Sequence, residues 1–371
     1  MSQDTWVIFD EIAGADGHRI GVACINSEKT LNALNIPIIA RLLPQLRAWA
    51  LDDGIAAVFL HAAGEKAFCA GGDVKSICVA VRANGVEDST AFDLFSQEYR
   101  LDFLIHDYPK PLIVWGTGYV MGGGIGLLCG ASHRIVTETS RLAMPEITIG
   151  LYPDVGGSWF LARLGKIGLF LGMTGAMINA ADALATGFAT QAVAAGKRHE
   201  VLTALAALSW GSPESRHDQV SALLDGFALT DLAAGHIEQA GAELSERLQG
   251  EELADLYAAL TAPSANPWLD KAARTLKAGS PTSAALIYRQ WQNGSRMSLA
   301  DTFRQELILS VQCARHPDFI EGVRALLVDK DQQPRWHPAT LAEVSQAWLD
   351  GHYAAPWQGR HPLSDLENWQ G

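Results

Sequence analysis

Short apolar runs alternate with segments of helical periodicity through the first half of the chain. The apolar runs that predict strands lie at 6–9, 20–25, 56–60 and 112–115. Between the second and third runs, apolar residues recur at helical spacing from Ile38 to Trp49, and Asn35 is placed to cap that helix. A further helix is predicted over about 88–106, with Pro109 as its stop signal. Strands that alternate with helices in this way indicate an α/β fold.

The pattern becomes mainly helical beyond about residue 195. Segments rich in Ala and Leu that predict helices lie near 198–208, 219–248 and 251–261. Gly211, Ser212 and Pro213 predict a hinge or loop between the first two of these segments. We therefore divide the chain into an α/β core over 1–200 and a mainly helical region over 201–371.

Composition and charge exclude several classes of protein. With 48% hydrophobic and 19% charged residues, the 371-residue chain is suited to a packed core rather than to disorder. The net charge of −13 argues against nucleic acid as a partner, although a few placed cations and backbone N–H groups can still hold an anionic ligand. We expect no membrane span, because no stretch of about 18 uncharged apolar residues occurs.

The first residues and the cysteines bear on the cellular compartment. Residues 1–5 have no basic segment followed by an apolar one, so we expect no secretory signal. The five cysteines are scattered without a C-x-x-C pair, which favours reduced thiols over a disulfide framework or a zinc site. We therefore expect a cytoplasmic protein that binds no metal ion.

Two glycine-rich segments each follow a predicted buried strand and precede a predicted helix. They are 68–73, with Gly71 and Gly72, and 118–127, with Gly122, Gly123 and Gly124. Free N–H groups at a helix N-terminus stabilise negative charge, so two such donors converging on one point would form an oxyanion hole. Taken alone, each segment is more often a tight turn against a packed helix. The glycines at 116, 118 and 122 also match a dinucleotide-binding fingerprint, but weakly and with one residue too many.

A third segment, 144–157, places two carboxylates in an apolar stretch interrupted by glycine and proline. They belong to Glu146 and Asp154. Carboxylates are costly to bury without partners, so these two indicate either hydrogen-bonded structural roles or chemistry. Pro153 breaks any helix here, so helical spacing cannot bring the two side chains to one face. The residues alone leave both interpretations open.

Together these segments resemble the enoyl-CoA hydratase/isomerase superfamily in order and spacing. The resemblance covers about residues 5–345 and is most specific at 66–77, 118–127, 144–161 and 315–336. It implies a crotonase-like α/β fold, a spiral of ββα units, followed by a mainly helical C-terminal region that completes the acyl-CoA site. It also implies that the N–H groups of Gly72 and Gly123 form the oxyanion hole. Hydratases of the superfamily keep glutamates at the positions of Gly126 and Glu146, and this chain has only the second.

Gly126, Glu146 and Asp154 together are similar to the 3-hydroxyisobutyryl-CoA hydrolase branch of the superfamily. The branch implies hydrolysis of a short β-hydroxyacyl-CoA thioester in valine breakdown, with Glu146 and Asp154 as the catalytic carboxylates. Glu146 would attack the carbonyl to give a mixed anhydride or act as general base toward water. Asp154 would bind the 3-hydroxyl of the substrate or exchange a proton with water or Glu146.

The resemblance also suggests where the acyl-CoA substrate is held. The positions expected to contact it are Cys69, Ala70, Asp73, Gly122, Gly126 and Lys330, with Lys330 as a candidate phosphate ligand. Coenzyme A is then part of the substrate, and no separate cofactor is expected. Members of the superfamily often form trimers, so a homo-oligomer is one expected assembly. The alternative is that the helical C-terminal region covers the core instead.

Two other functions are weighed against thioester hydrolysis. The first is a hydratase or isomerase of the same superfamily, against which Gly126 argues. The second is a non-catalytic acyl-CoA- or RNA-binding paralogue, and the negative net charge opposes RNA binding. Neither a G-x-S-x-G elbow nor an H-E-x-x-H motif is present, which disfavours serine-triad and zinc hydrolases.

Overall fold

The computed structural model describes residues 5–369, which form two β-sheets surrounded by helices. The strands are β1 (Val7–Ala13), β2 (Arg19–Ile25), β3 (Ile55–Ala62), β4 (Ala67–Cys69), β5 (Leu112–Gly116), β6 (Tyr119–Met121), β7 (His133–Val136), β8 (Arg141–Ala143) and β9 (Gln191–Ala192). One sheet has the order β1-β2-β3-β5-β7-β9, and the other has the order β4-β6-β8. Every neighbouring pair of strands in these residues is parallel except β1 and β2.

Consecutive strands alternate between the two sheets from β3 onward, so each turn of the chain adds one strand to each sheet. Helices follow these strand pairs. The helices of this half are α1 (Ile36–Leu51), α2 (Val74–Asn84), α3 (Thr90–His106), α4 (Gly123–Gly130), α5 (Gly157–Arg163), α6 (Gly165–Thr174) and α7 (Ala180–Thr186). The repeated strand–strand–helix order confirms the predicted α/β spiral.

The local sequence accounts for the elements that carry the site. Asn35 caps α1 by accepting the N–H of Ile38, as its position before the apolar periodicity predicts. The strand β3 is almost entirely buried because it lies inside the larger sheet between two parallel neighbours. The glycine-rich segments end β4 and β6 and lead into α2 and α4, which confirms that both lie at helix N-termini.

The chain beyond β9 is helical in the described residues. Its helices are α8 (Arg198–Ala206), α9 (Arg216–Asp225), α10 (His236–Arg247), α11 (Leu253–Leu260), α12 (Pro267–Ala278), α13 (Pro281–Gly294), α14 (Leu299–Arg315), α15 (Pro317–Val323) and α16 (Gln346–His352), with a π-helical turn at Arg324–Val328. Several of them pack on the first half, among them α13 against α5 and α6, and α14 against α3. The division of the chain at residue 200 stays a prediction.

One predicted element is divided in the structure. The apolar periodicity at 219–248 predicts one helical segment, but α9 ends at Asp225 and α10 begins at His236. The carboxylate of Asp182 accepts the N–H groups of His236 and Ile237, which fixes a new helix start there. A side chain at 235 would collide with the same carboxylate, so Gly235 allows the approach. This partner lies about fifty residues away in sequence, which local periodicity cannot anticipate.

No helix within residues 5–369 combines the length and the apolar character needed to cross a bilayer. The absence of a secretory signal was expected from residues 1–5, and all of these except Thr5 lie outside the described part of the chain.

Candidate active site

One cavity brings the three sequence segments together. It has a volume of about 230 Å³. Its lining includes the predicted site residues Ala70, Gly72, Gly122, Gly123, Glu146 and Asp154. Leu326 and Leu327 of the π-helical turn close another side, so the C-terminal half also contributes to this cavity. No Lys or Arg side chain is among the lining residues that the structure describes.

Two glycine loops meet on one side of the cavity. Gly71 and Gly122 have φ angles of +112° and +49°, which favour glycine. A side-chain carbon at Gly122 would lie 3.5 Å from the Cα atom of Gly71, so the loops touch. Within residues 5–369, the N–H groups of Gly72 and Gly123 donate to no backbone acceptor. Gly123 is also the first residue of α4, where the helix dipole favours negative charge. The geometry therefore supplies two free donors beside one cavity.

Glu146 begins a short 3-10 turn, Glu146–Ile149, and its carboxylate faces the second glycine loop. Its side chain is buried, and Oε1 lies 3.0 Å from the place that a side-chain carbon at Gly122 would occupy. Oε2 has no hydrogen-bond partner among the described residues. Burial, followed by repulsion from Asp154, raises the pKa of Glu146 well above its ordinary value. A carboxylate held this way is a strong base and nucleophile once it is ionised.

Asp154 approaches the same cavity from the loop before α5. Its backbone neighbours Val155 and Gly156 both have positive φ angles, +53° and +85°, so the loop makes a tight reversal here. The hydroxyl of Tyr99 donates to Asp154 Oδ2 at 2.6 Å. Burial raises the pKa of Asp154 to about 6, although the Tyr99 hydrogen bond opposes that shift.

Two carboxylates of α3, Glu98 and Asp102, were missed by the sequence analysis. Glu98 lines the cavity, and a side chain at Gly123 would collide with Glu98 Oε1. Burial, followed by the charge of Asp154, raises the pKa of Glu98 to about 8. Asp102 lies one turn further along, is fully buried, and neither of its oxygens has a hydrogen-bond partner in the described chain. Burial and the charge of Glu98 raise its pKa well above the ordinary value.

A signal for these two residues was present in the sequence. The buried face of α3 carries Ala91, Leu94, Phe95 and Ile105 at helical spacing, and both carboxylates fall on the same stripe. An acidic residue at an apolar position of a helix indicates a satisfied partner or a functional site.

Glu306 of α14 is a further buried carboxylate next to the site. It accepts the N–H of Gly156 at 2.8 Å and that of Ser158 at 3.0 Å. Burial, followed by the charge of Asp154, raises its pKa to about 8. Glu306 thus fixes the loop that carries Asp154. Its distance in sequence left no local signal for this contact.

The remaining predicted positions lie around the cavity rather than in it. Cys69 is buried and its thiol points to the carbonyl of Gly71. Asp73 caps α2 by accepting the N–H of Ser76. Gly126 packs against Val155 and Asp102. Lys330 is exposed, has a φ of +60°, and is absent from the cavity lining. Their roles in substrate binding stay predictions.

The buried acids predict an unusual dependence of stability on pH. A carboxyl group whose pKa is higher in the folded protein than in the unfolded chain makes the protein less stable as the pH rises between those two pKa values. For Glu98 these pKa values are 4.5 in the unfolded chain and about 8 in the folded protein, so its contribution to stability is lost as the pH rises through about 8. We therefore expect the thermal unfolding temperature to fall as the pH rises from about 5 to about 9. Calorimetry in about 1 M salt, which screens surface charges, measures this change. Glu98→Gln should reduce this slope, and the exposed Glu138→Gln should not. An identical slope in both variants would rule out Glu98 as a source.

No group of three or more His, Cys, Asp or Glu side chains in residues 5–369 is arranged to hold a metal ion. The site combines the two free N–H donors of Gly72 and Gly123 with the carboxyl groups of Glu98, Glu146 and Asp154 around one cavity. This arrangement suits stabilisation of an oxyanion on one side and proton transfer or nucleophilic attack on the other.

The fold and the site belong to a class of enzymes that act on acyl-CoA esters: the chain is a member of the enoyl-CoA hydratase/isomerase family, whose match spans residues 20–353. Among curated relatives, it is 40% identical over 334 residues to 3-hydroxyisobutyryl-CoA hydrolase, mitochondrial, of Gallus gallus, which covers 89% of this chain and 85% of the relative. It is 35% identical over 342 residues to the Homo sapiens protein of that name, with 90% and 86% covered. The predicted resemblance is confirmed.

Solved structures show the same fold. A carnitinyl-CoA dehydratase from Mycobacterium thermoresistibile is 35% identical with a TM-score of 0.81, covering 94% of this chain and 96% of its own. An enoyl-CoA hydratase from Rhodobacter sphaeroides is 31% identical with a TM-score of 0.80, covering 95% and 98%. These similarities confirm the predicted crotonase-like spiral.

Proposed function

We propose that this protein hydrolyses 3-hydroxyisobutyryl-CoA to the free hydroxy acid and coenzyme A, a step in valine breakdown. The Gallus gallus and Homo sapiens relatives are named for this activity, and most of their length aligns with this chain. The site supports the same chemistry, because thioester hydrolysis passes through a tetrahedral oxyanion that two free N–H donors can stabilise. Removing one such donor typically costs about 2.7–4 kcal/mol of transition-state stabilisation.

The observation that carries the proposal is the position of Glu146. Its Oε1 lies 3.0 Å from the place that a side-chain carbon at Gly122 would occupy, and its Oε2 has no hydrogen-bond partner within residues 5–369. A thioester whose carbonyl oxygen accepts the N–H groups of Gly72 and Gly123 would present its carbonyl carbon to this carboxylate.

Glu146 has two chemical routes to the products. In one, its carboxylate attacks the carbonyl carbon, the C–S bond breaks, the thiolate leaves and is protonated, and water then cleaves the mixed anhydride. In the other, Glu146 removes a proton from water as the water attacks the thioester carbonyl carbon, the C–S bond then breaks, and the leaving thiolate takes up a proton. Asp154, with one oxygen committed to Tyr99, would use the other to bind the 3-hydroxyl or to exchange a proton. A site that pairs with that hydroxyl discriminates against acyl groups lacking it.

The solved structures named above carry hydratase and dehydratase names, so the alternative of water addition to an enoyl-CoA has support of its own. The glycine at position 126 argues against the hydratase function. Any side chain at this position would meet Val155 Cβ at 2.7 Å and Asp102 Oδ1 at 3.0 Å, so this part of α4 has no space for a glutamate.

A panel of short acyl-CoA esters tests the proposal. We expect free thiol to appear fastest with 3-hydroxyisobutyryl-CoA and more slowly with isobutyryl-CoA, which lacks the hydroxyl. Crotonyl-CoA serves as the comparison substrate, because hydration removes its enoyl absorbance without releasing thiol. Loss of that absorbance with no thiol from any ester would contradict hydrolysis, and no reaction at all would favour the binding paralogue.

Cellular location and assembly stay predictions. A cytoplasmic location is supported by the free cysteines at 24, 69, 78, 129 and 313, which fit a reducing compartment. The relatives' names include the word mitochondrial, which applies to those proteins. A homo-oligomer and the contacts of Cys69, Ala70, Asp73 and Lys330 with coenzyme A are proposed on the family resemblance.

A further inference from the structure

A chain of hydroxyl groups leads to Asp154 from the C-terminal half of the protein. Tyr99 Oη donates to Asp154 Oδ2 at 2.6 Å and lies 2.6 Å from Ser310 Oγ. Ser310 Oγ in turn lies 2.9 Å from Tyr152 Oη. The single hydroxyl proton of Tyr152 goes either to Ser310 Oγ or to the backbone carbonyl of Glu306, which also lies 2.9 Å from Tyr152 Oη. Tyr99, Tyr152 and Ser310 are fully buried, so water does not compete for these bonds.

The direction of this chain follows from counting protons. A tyrosine hydroxyl has one proton, and that of Tyr99 is committed to Asp154. While Asp154 is ionised, the contact between Tyr99 and Ser310 therefore requires Ser310 to donate. Successive hydroxyl groups that donate in one direction polarise one another, so Ser310 strengthens the bond that Tyr99 makes to Asp154.

Packing prevents Tyr99 from turning away. Its ring lies 5.8 Å from that of Phe95 and 5.7 Å from that of Phe303, measured between centroids. Phe95 belongs to α3, the helix of Tyr99 itself, and Phe303 belongs to α14, so the phenol is held by rings of both helices. The hydroxyl is consequently placed before any substrate binds.

We propose that Tyr99 is a positioning residue for Asp154: its hydroxyl occupies one carboxylate oxygen, and Ser310 fixes the direction in which that hydroxyl donates. The inference rests on the proposed hydrolase function in one respect, that Asp154 takes part in catalysis. With Oδ2 occupied, Oδ1 is the oxygen left to meet the 3-hydroxyl or a water molecule.

The same bond controls the charge of Asp154. Burial raises the pKa of this carboxyl to about 6, and the Tyr99 hydrogen bond lowers it. Within residues 5–369, no cation is among the groups that act on the pKa of Asp154. The titratable groups whose charge interacts with that of Asp154 are Glu98, Tyr99, Asp102, Glu146, Tyr152, Glu306 and Cys313. Tyr99 is thus the side chain that keeps Asp154 able to ionise near neutral pH.

The test is the pH profile of thiol release by Tyr99→Phe, which removes one oxygen and keeps the ring. We expect the midpoint that reports Asp154 to move upward by about one pH unit, because the carboxylate loses its donor. Ser310→Ala should move it in the same direction by less. Tyr108→Phe is the matched control, since Tyr108 is also buried and donates to the carbonyl of Leu46, away from the cavity. It should leave the midpoint in place.

A second measurement keeps this proposal separate from the proposed function. In protein labelled with ¹³C at the aspartate carboxyl, the resonance that Asp154→Asn removes reports the titration of Asp154 directly. An upward shift in Tyr99→Phe supports the positioning role even if no ester is hydrolysed. An unchanged titration in Tyr99→Phe, matching Tyr108→Phe, would overturn it. A loss of stability alike in both variants with no change in titration would reduce Tyr99 to a packing residue.

Discussion

Glu146→Gln is expected to lower thiol release from 3-hydroxyisobutyryl-CoA by about 10²–10⁴-fold, the range for loss of a catalytic acid–base group. The amide keeps the shape of the side chain but neither attacks a carbonyl nor accepts a proton at neutral pH. No described side chain depends on Glu146 Oε2 for a hydrogen bond, so the fold should survive the change.

The unfolding temperature of Glu146→Gln is a second measurement that tests this prediction. Burial, followed by repulsion from Asp154, disfavours the ionised Glu146 carboxylate, and an amide removes both costs. We therefore expect an unfolding temperature at neutral pH equal to or above that of the unmodified protein, together with the loss of activity. The control is Glu138→Gln, because Glu138 is exposed and accepts only the N–H of Ala195. Full turnover in Glu146→Gln would refute Glu146 as the catalytic group.

Gly126→Glu, which restores the glutamate of the hydratases, is expected to destabilise the protein rather than convert it into a hydratase. Any side-chain carbon at this position would meet Val155 Cβ at 2.7 Å, and Val155 already has a φ of +53° that leaves its backbone little freedom. Overpacking of this kind costs about 1–3 kcal/mol. The added carboxylate would also be buried beside Asp102, whose oxygens have no partner among the described residues.

Gly126→Ala separates the steric cost from the charge. It should lower the unfolding temperature, and Gly126→Glu should lower it further. Gly351→Ala is the matched control, since Gly351 is also helical and an added carbon there meets nothing within 4 Å. We expect that control to be neutral or slightly stabilising, because alanine is the better helix former. A stable Gly126→Glu protein that hydrates crotonyl-CoA would contradict this account of the site.

The sequence anticipated the parts of this protein that depend on local pattern. Asn35 was predicted to cap α1 and does so, and both glycine segments lie at helix N-termini as their order along the chain indicates. The convergence of Glu146 and Asp154 came from the family resemblance, because proline and glycine between them remove any periodicity. The structure places both in one cavity.

The features that local sequence patterns did not predict depend on tertiary contacts. Glu98 and Asp102 lie within the helix predicted over 88–106, on its apolar stripe. Glu306 and Ser310 act on Asp154 from about 150 residues further along the chain, through contacts that no local pattern encodes. The start of α10 depends in the same way on Asp182.

The placement of Glu306 and Ser310 on α14 has a consequence for synthesis of the protein. Chains generally fold from the N-terminus as they leave the ribosome, so both glycine loops and Glu146 emerge long before α14 does. A nascent chain that stops short of α14 contains Gly72 and Gly123 but lacks the carboxylate that holds the N–H groups of Gly156 and Ser158. Competence to cleave a thioester should therefore arise late in translation, when Asp154 receives its supports.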